Sequence, residues 1–179
     1  MVVQTLKALN HRNLILSNLE PSHSFRMNTD FGEITGWVRG NALIRLKINA
    51  KIAPNLPLLT AQEQAPFDAA IRVILRGEEP KWLPELAPQG SEFQRKVWQG
   101  LLQIPKGKVW SYTDLALHIG KSPQASRAVG SACGANPIAL FIPCHRVVRK
   151  DGGLGGFAWG PSLKRHLLHK EGVELASDQ

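Results

Sequence analysis

The sequence predicts a mixed α/β chain in two parts: a strand-bearing first half and a second half of short helices built around a helix-turn-helix. Three observations lead there. In Ala42-Leu43-Ile44-Arg45-Leu46-Lys47-Ile48, the residues Ile44, Leu46 and Ile48 share one face at period two. Ser91 with Gln94, and Ser111 with Asp114, are helix-start signals in the second half. Between the halves, residues 77–90 hold Pro80, Pro84, Pro88 and two glycines, a linker composition that places a boundary after residue 88. The expected domains are therefore 1–88 and 89–179.

The elements follow in order. Residues 1–27 show no clear pattern. Glu33-Ile34-Thr35-Gly36-Trp37-Val38 reads as a strand, joined to the next by an Arg39-Gly40-Asn41 hairpin turn. A helix is expected over 61–76, with Phe67, Ala70, Ile71, Ile74 and Leu75 at helical spacing. The capping box at Ser91 opens a helix with Phe93, Val97, Leu101 and Ile104 on its apolar side, and Pro105-Lys106-Gly107-Lys108 turns the chain. Ser111 starts a second helix that ends at Gly120. Ser122 before Pro123 reads as an N-cap with proline at the first helical position, so a third helix begins at once. Two short helices joined by a tight Gly-Lys-Ser turn make the helix-turn-helix.

At 100° per residue the third helix turns Ala125, Ala128, Val129 and Ala132 inward and Pro123, Arg127, Gly130 and Gly134 outward. One long cation among glycines and small residues suits close approach to another backbone, such as the wall of a DNA groove. The alternative is that Gly130 serves helix–helix packing, since a mid-helix glycine costs about 1 kcal/mol relative to alanine.

The charge agrees with a polyanionic partner. The chain carries net +8 with a pI near 9.9. Residues 1–88 are net +2 and residues 89–179 net +6. The second half also holds both cysteines, Cys133 and Cys144, too few for a disulfide framework, so a reducing, intracellular setting is expected. No stretch approaches the roughly 20 apolar residues of a membrane span, and Lys7, Asn10, His11, Arg12 and Asn13 interrupt any signal-peptide core. His11 and His23 make no zinc motif.

The chemistry concentrates at Pro143-Cys144-His145-Arg146-Val147-Val148, between the apolar run 138–142 and the glycine-rich Gly152-Gly153-Leu154-Gly155-Gly156. The thiolate is the attacking form of cysteine, and a neighbouring base or positive charge is expected to lower its pKa from about 8.5.

This hexapeptide, with Gly134-Ala135-Asn136-Pro137 before it, resembles the O6-alkylguanine-DNA alkyltransferases (methylated-DNA–protein-cysteine methyltransferases). Phe93-Gln94-Arg95-Lys96-Val97-Trp98, Ser111-Tyr112 with Asp114-Leu115-Ala116, Ser126-Arg127-Ala128-Val129-Gly130, and Lys164 through Leu167-Leu168 to Glu171-Gly172 agree in order and spacing. The match is strong over about residues 90–173 and weak before residue 88. It implies a ribonuclease-H-like N-terminal domain, a winged-helix-like C-terminal domain, and irreversible transfer of an alkyl group from guanine O6 to a cysteine, once per molecule. No cofactor or metal is implied. The partner would be double-stranded DNA containing alkylated guanine and the protein a monomer, cytoplasmic or, in a bacterium, nucleoid-associated.

The resemblance also implies roles. Cys144 is the alkyl acceptor. His145 is its base, linked through a water, and Glu171 orients His145 in the logic of a triad. Asn136 holds the active-site backbone, and Tyr112 helps rotate the nucleotide and donates to guanine N3. Arg127 fills the space of the extruded base, with Ser126, Ala128 and Gly130 also against DNA. Pro143, Val147, Phe157, Ala158 and Trp159 line the base pocket, Phe157 and Pro143 on opposite sides, and the carbonyls of Cys144 and Val147 are candidate acceptors for the guanine amino group. Cys133 is read as packing. The rival readings are a non-catalytic binder of alkylated DNA, which would lack Cys144, a helix-turn-helix regulator, which needs more base-reading side chains, and a cysteine peptidase, which needs a distant histidine.

Overall fold

A computed structural model describes residues 13–51 and 55–175. The expectations for residues 1–12, His11 among them, lie outside the described residues. Strands β1 (His23–Thr29), β2 (Gly32–Arg39) and β3 (Ala42–Ile48) form an antiparallel meander, and β4 (Glu85–Leu86) adds to β3 in parallel. The expected strands and their hairpin are present. β1, in the stretch that gave no pattern, is new. Its alternation (Phe25 and Met27 inward, Arg26 and Asn28 outward) is short and opens on His23 and Ser24, which hide it.

Helix α1 (Ala61–Leu75) is opened by a Thr60–Glu63 capping box and lays Phe67, Ala70, Ile71 and Ile74 into the core. The Phe25 and Phe67 rings lie 5.0 Å apart. Opposite Phe25 in register is Gly36, where an added Cβ would stand 2.1 Å from the Phe25 ring. That contact explains a glycine in mid-strand.

The proline-rich segment 77–90 is packed rather than loose. Trp82 stacks edge-on to Phe67, β4 pairs with β3, and Leu86 and Ala87 are buried. Its prolines fix turns in a chain that still buries apolar side chains, a distinction composition does not make.

The second half holds α2 (Glu92–Leu101), α3 (Tyr112–His118), α4 (Ser126–Gly134) and α5 (Pro161–Lys170), with β5 (Trp110–Ser111) parallel to β6 (Val147–Val148). Both capping boxes form, at Ser91–Gln94 and Ser111–Asp114. α3 stops at His118, two residues short of Gly120, whose φ of 73° is the left-handed turn glycine permits. The third helix differs in detail. Residues 123–125 form a 3₁₀ turn, the Ser122 side chain makes no capping bond, and α4 proper starts at Ser126. The changed winding rotates the helix from its ideal wheel: Val129, Ala132 and Cys133 are buried, but Ala128 is exposed.

The halves meet closely. Leu46 N donates to the Pro137 carbonyl at 2.8 Å, Leu14 N to Gln99 Oε1 at 3.0 Å, and a ring nitrogen of His166 bonds the Leu75 carbonyl at 2.9 Å. One cluster of buried side chains runs from Phe25 and Leu46 through Trp98 and Phe141 to Leu167.

Gly36→Ala is expected to destabilise the protein by about 1–3 kcal/mol, because Phe25 must leave its rotamer to admit a methyl group. Urea unfolding measures this; an unchanged midpoint would contradict the packing described.

Candidate active site

The site begins with a pinned loop. Asn136 accepts from Ile138 N at 3.0 Å and donates to the Ile142 carbonyl at 2.8 Å, closing residues 136–142 into a tight buried turn. Within it Leu140 has φ 78°, a conformation that costs a non-glycine residue roughly 1–2 kcal/mol. The Asn136 bonds and full burial of Ile138 and Ile142 hold it there. The chain then enters a single 3₁₀ turn, Cys144–Arg146, which buries Cys144 and His145 side by side.

Cys144 is 4% exposed. Burial pushes its thiol up to about 11, against a hydrogen bond from Asn136 and the charge of Lys164, which pull the other way. The sequence-based expectation of a lowered pKa is therefore corrected: desolvation wins and the resting group is a thiol. Cys133 is buried and pushed up to about 12 by the same cause, in keeping with packing.

His145 and Glu171 meet as expected, with Nε2 to Oε1 at 2.8 Å. A carboxylate only accepts, so Nε2 carries the proton and Nδ1 the lone pair, an assignment made from the bonding network. Nδ1 is buried with no hydrogen-bond partner among the described residues. Burial lowers the His145 pKa, although Glu171 opposes this. Burial alone would raise the Glu171 carboxyl, but bonds from His145 and Arg146, with their charges, hold it down at about 2.

Two residues without a role in the sequence reading complete the site. Arg146 forks onto Glu171, Nε to Oε2 and Nη2 to Oε1, both at 3.0 Å. Lys164 is fully buried on the apolar face of α5, with Nζ donating to the carbonyls of Val147 at 2.6 Å and Gly156 at 3.0 Å, and burial lowers its pKa to about 8. A lysine in step with Leu167 and Leu168 was the available signal. Its bond occupies one lone pair of the Val147 carbonyl, and Val147 N takes one of Cys144, so each carbonyl keeps a single free acceptor position.

Tyr112 opens α3 and bonds the backbone at Gly156; burial raises its phenol, so the O–H is retained. Gly155 (φ 71°) lies so close that a Cβ would stand 2.7 Å from the Tyr112 hydroxyl. A cleft of about 750 Å³ brings together Tyr112, Ser126, Arg127, Gly130, Arg149 and Lys150. Ala128 is outside that lining. A Cβ on Gly130 would meet the Tyr112 ring at 3.6 Å, ordinary contact, so neither close helix packing nor Tyr112 demands glycine there. Phe157 stands edge-on to His145, centroids 6.5 Å apart. Pro143 is on a second cleft of about 520 Å³ beside Arg146 and Glu171. Val147 is buried, Trp159 packs on the core and Ala158 is exposed. Among the described residues no group of His, Cys, Asp or Glu is arranged to hold a metal ion.

Stability is expected to fall on acidification. His145 is held below its ordinary 6.5 and Glu171 below 4.5, so the unfolded chain takes up each proton first as pH drops. The Glu171 contribution is present above 4.5 and lost towards about 2. Urea midpoints of wild type and Glu171→Gln should therefore differ most near neutral pH and converge below 4.5; a constant difference down to pH of about 3 would contradict the ion pairing.

Three comparisons bear on identity. A family model described as the DNA-binding domain of 6-O-methylguanine DNA methyltransferase matches residues 92–173. A methylated-DNA–protein-cysteine methyltransferase of Methanosarcina acetivorans is 48% identical over 96 residues, 54% of this chain and 61% of that protein. The first curated relatives are matched over only 23% to 61% of their own length. Solved structures are matched more fully. Mycobacterium tuberculosis O6-methylguanine methyltransferase superposes with TM-score 0.72 at 34% identity, and M. tuberculosis OGT in complex with DNA with 0.75 at 33%. Each covers 83% of this chain and 92% of the other. With the fold shared over nearly that whole length and the thiol site inside the matched domain, the chain belongs to the O6-methylguanine-DNA methyltransferase family.

Proposed function

We propose that this protein repairs DNA by moving an alkyl group from O6 of a damaged guanine to Sγ of Cys144, irreversibly and once per molecule. The observation that carries the reading is a buried thiol next in sequence to a buried imidazole whose Nε2 is bound to a carboxylate and whose Nδ1 has no hydrogen-bond partner among the described residues. Such a site activates sulfur only when an electrophile arrives, which suits a protein consumed by its reaction.

The steps follow from the protonation states. His145 Nδ1 takes the thiol proton, through a water, as sulfur approaches the alkyl carbon; Glu171 stabilises the imidazolium. The S–C bond forms as the C–O6 bond breaks, and the proton passes on to the departing guanine, whose developing charge Tyr112 meets by donating its O–H at N3. The alkylated base is itself an activated donor, so the transfer uses no cofactor. A stacked guanine hides its O6 group, so the nucleotide is extruded at a cost of a few kcal/mol. Arg127, exposed at the start of α4 in the cleft with Tyr112, fills the gap, and Ser126, Ala128 and Gly130 border the backbone. In this reading Phe157, Val147, Ala158 and Trp159 lie on the base side, Pro143 borders the neighbouring cleft beside Arg146 and Glu171, and Asn136 keeps the loop shaped to receive the base.

The partner in this reading is double-stranded DNA and the protein a monomer of cytoplasm or nucleoid. The first half is read as a ribonuclease-H-like domain and the second as a winged-helix-like domain, divided near residue 88. The surplus of positive charge after residue 88 supports DNA on that side.

Cys144→Ala is expected to bind methylated duplex DNA with near-wild-type affinity and to remove no methyl groups, where wild type removes one per molecule. Stoichiometric repair by the variant would refute the acceptor assignment. Arg127→Ala should lose at least tenfold in rate on duplex DNA while reacting normally with a free O6-benzylated base, since only the duplex requires extrusion. Equal losses on both substrates would remove that role.

A further inference from the structure

We infer that Arg146 is a positioning residue of the transfer: its guanidinium fixes the Glu171 carboxylate against His145 and, by sharing that carboxylate's charge, keeps the imidazole a neutral acceptor at Nδ1. The inference rests on the alkyl-transfer reading above.

The geometry is that of a saturated carboxylate. Oε1 accepts from His145 Nε2 at 2.8 Å and Arg146 Nη2 at 3.0 Å. Oε2 accepts from Arg146 Nε at 3.0 Å and Gly107 N at 3.3 Å. Four donors match the four lone-pair sites of a carboxylate. The third arm of the guanidinium, Nη1, donates to the Ile104 carbonyl at 2.8 Å, so Arg146 is itself anchored. Glu171 cannot rotate without breaking a two-pronged charge-assisted contact. Exposure is 14% at Arg146, 4% at Glu171 and 1% at His145, leaving little water to substitute for a lost partner.

A buried carboxylate facing His145 alone would favour imidazolium and remove the lone pair that must receive the thiol proton. Burial is the largest influence and holds the His145 pKa below 6.5; the Arg146 charge, held on Glu171 by its two-pronged contact, acts in the same direction against the raising effect of that carboxylate. The groups acting on His145 are Glu171 at Nε2 with Arg146 behind it, Lys164 from α5, and the edge-on Phe157 ring. Glu79, after α1, lies 3.9 Å from Arg146 but is half exposed, where a pair contributes little. A lysine at 146 would supply the charge without the fork.

The test follows His145 by NMR titration in the full chain without DNA, and in parallel measures methyl transfer from duplex DNA across pH. Arg146→Met is expected to move the His145 midpoint to higher pH and to slow transfer about 10–100-fold near neutrality, most at the acid end. Arg146→Lys should hold the midpoint near that of wild type and recover part of the rate. Glu79→Gln should match wild type in both. An unmoved midpoint in Arg146→Met, or a loss equal at every pH, overturns the inference. Should Arg146→Met fail to fold, Arg146→Lys decides: a slower rate supports the fork, and a wild-type rate overturns it. If wild type transfers no methyl while the His145 midpoint moves as expected, the alkyl-transfer reading fails and the positioning of His145 by Arg146 survives.

Discussion

A carboxylate taken almost wholly out of water has to be surrounded by donors, and the arrangement around Glu171 meets that demand from three directions. The end of α5 delivers Glu171, the turn through Gly107 offers a backbone N–H, and the 3₁₀ turn at Cys144–Arg146 offers an imidazole and a guanidinium. None of these segments adjoins another in sequence. Removing any one donor leaves a buried charge partly unpaired, which is far more costly than the pair is favourable. The relay is thus a structural constraint as well as a chemical one.

The same logic governs the walls of the site. Lys164 is buried as a cation because two backbone carbonyls receive it, and those carbonyls belong to the motif strand and to the glycine-rich loop. One ammonium group therefore sets the spacing between Val147 and Gly156. Asn136 does the equivalent for the loop before Cys144, holding Leu140 in a conformation it would otherwise avoid. The sulfur is placed by polar groups that the hydrophobic core alone could not position, and the core serves to deny those groups alternative partners in water.

Much of this was legible in the residues. Hydroxyl-x-x-acid/amide signals located two of the helices because a capping box is satisfied locally, within four residues. The Cys-His neighbourhood was read from the residues themselves, but Glu171 was reached through resemblance, since no periodicity links positions 26 apart in sequence. What escaped had nonlocal causes. β1 is a strand because Gly36 leaves room for Phe25 across the sheet, and residues 77–90 are packed because Trp82 and Ala87 find partners in the core. Ala128 turned outward because a 3₁₀ turn before α4 shifts the helical phase. The thiol pKa went the other way because a neighbouring imidazole says nothing about desolvation, and here burial outweighs every favourable charge. Arg146 and Lys164 were visible as residues but not as partners, because their acceptors lie on other segments.

The central claim is that the sulfur of Cys144 takes the alkyl carbon and keeps it. Incubating the full chain with duplex DNA whose O6-methylguanine carries an isotopically labelled methyl group, then mapping the digested protein by mass spectrometry, addresses it directly. The account predicts the label on the peptide containing Cys144, in equal number to the guanines restored, with Cys133 unlabelled. Loss of the lesion with Cys144 unmodified would contradict it.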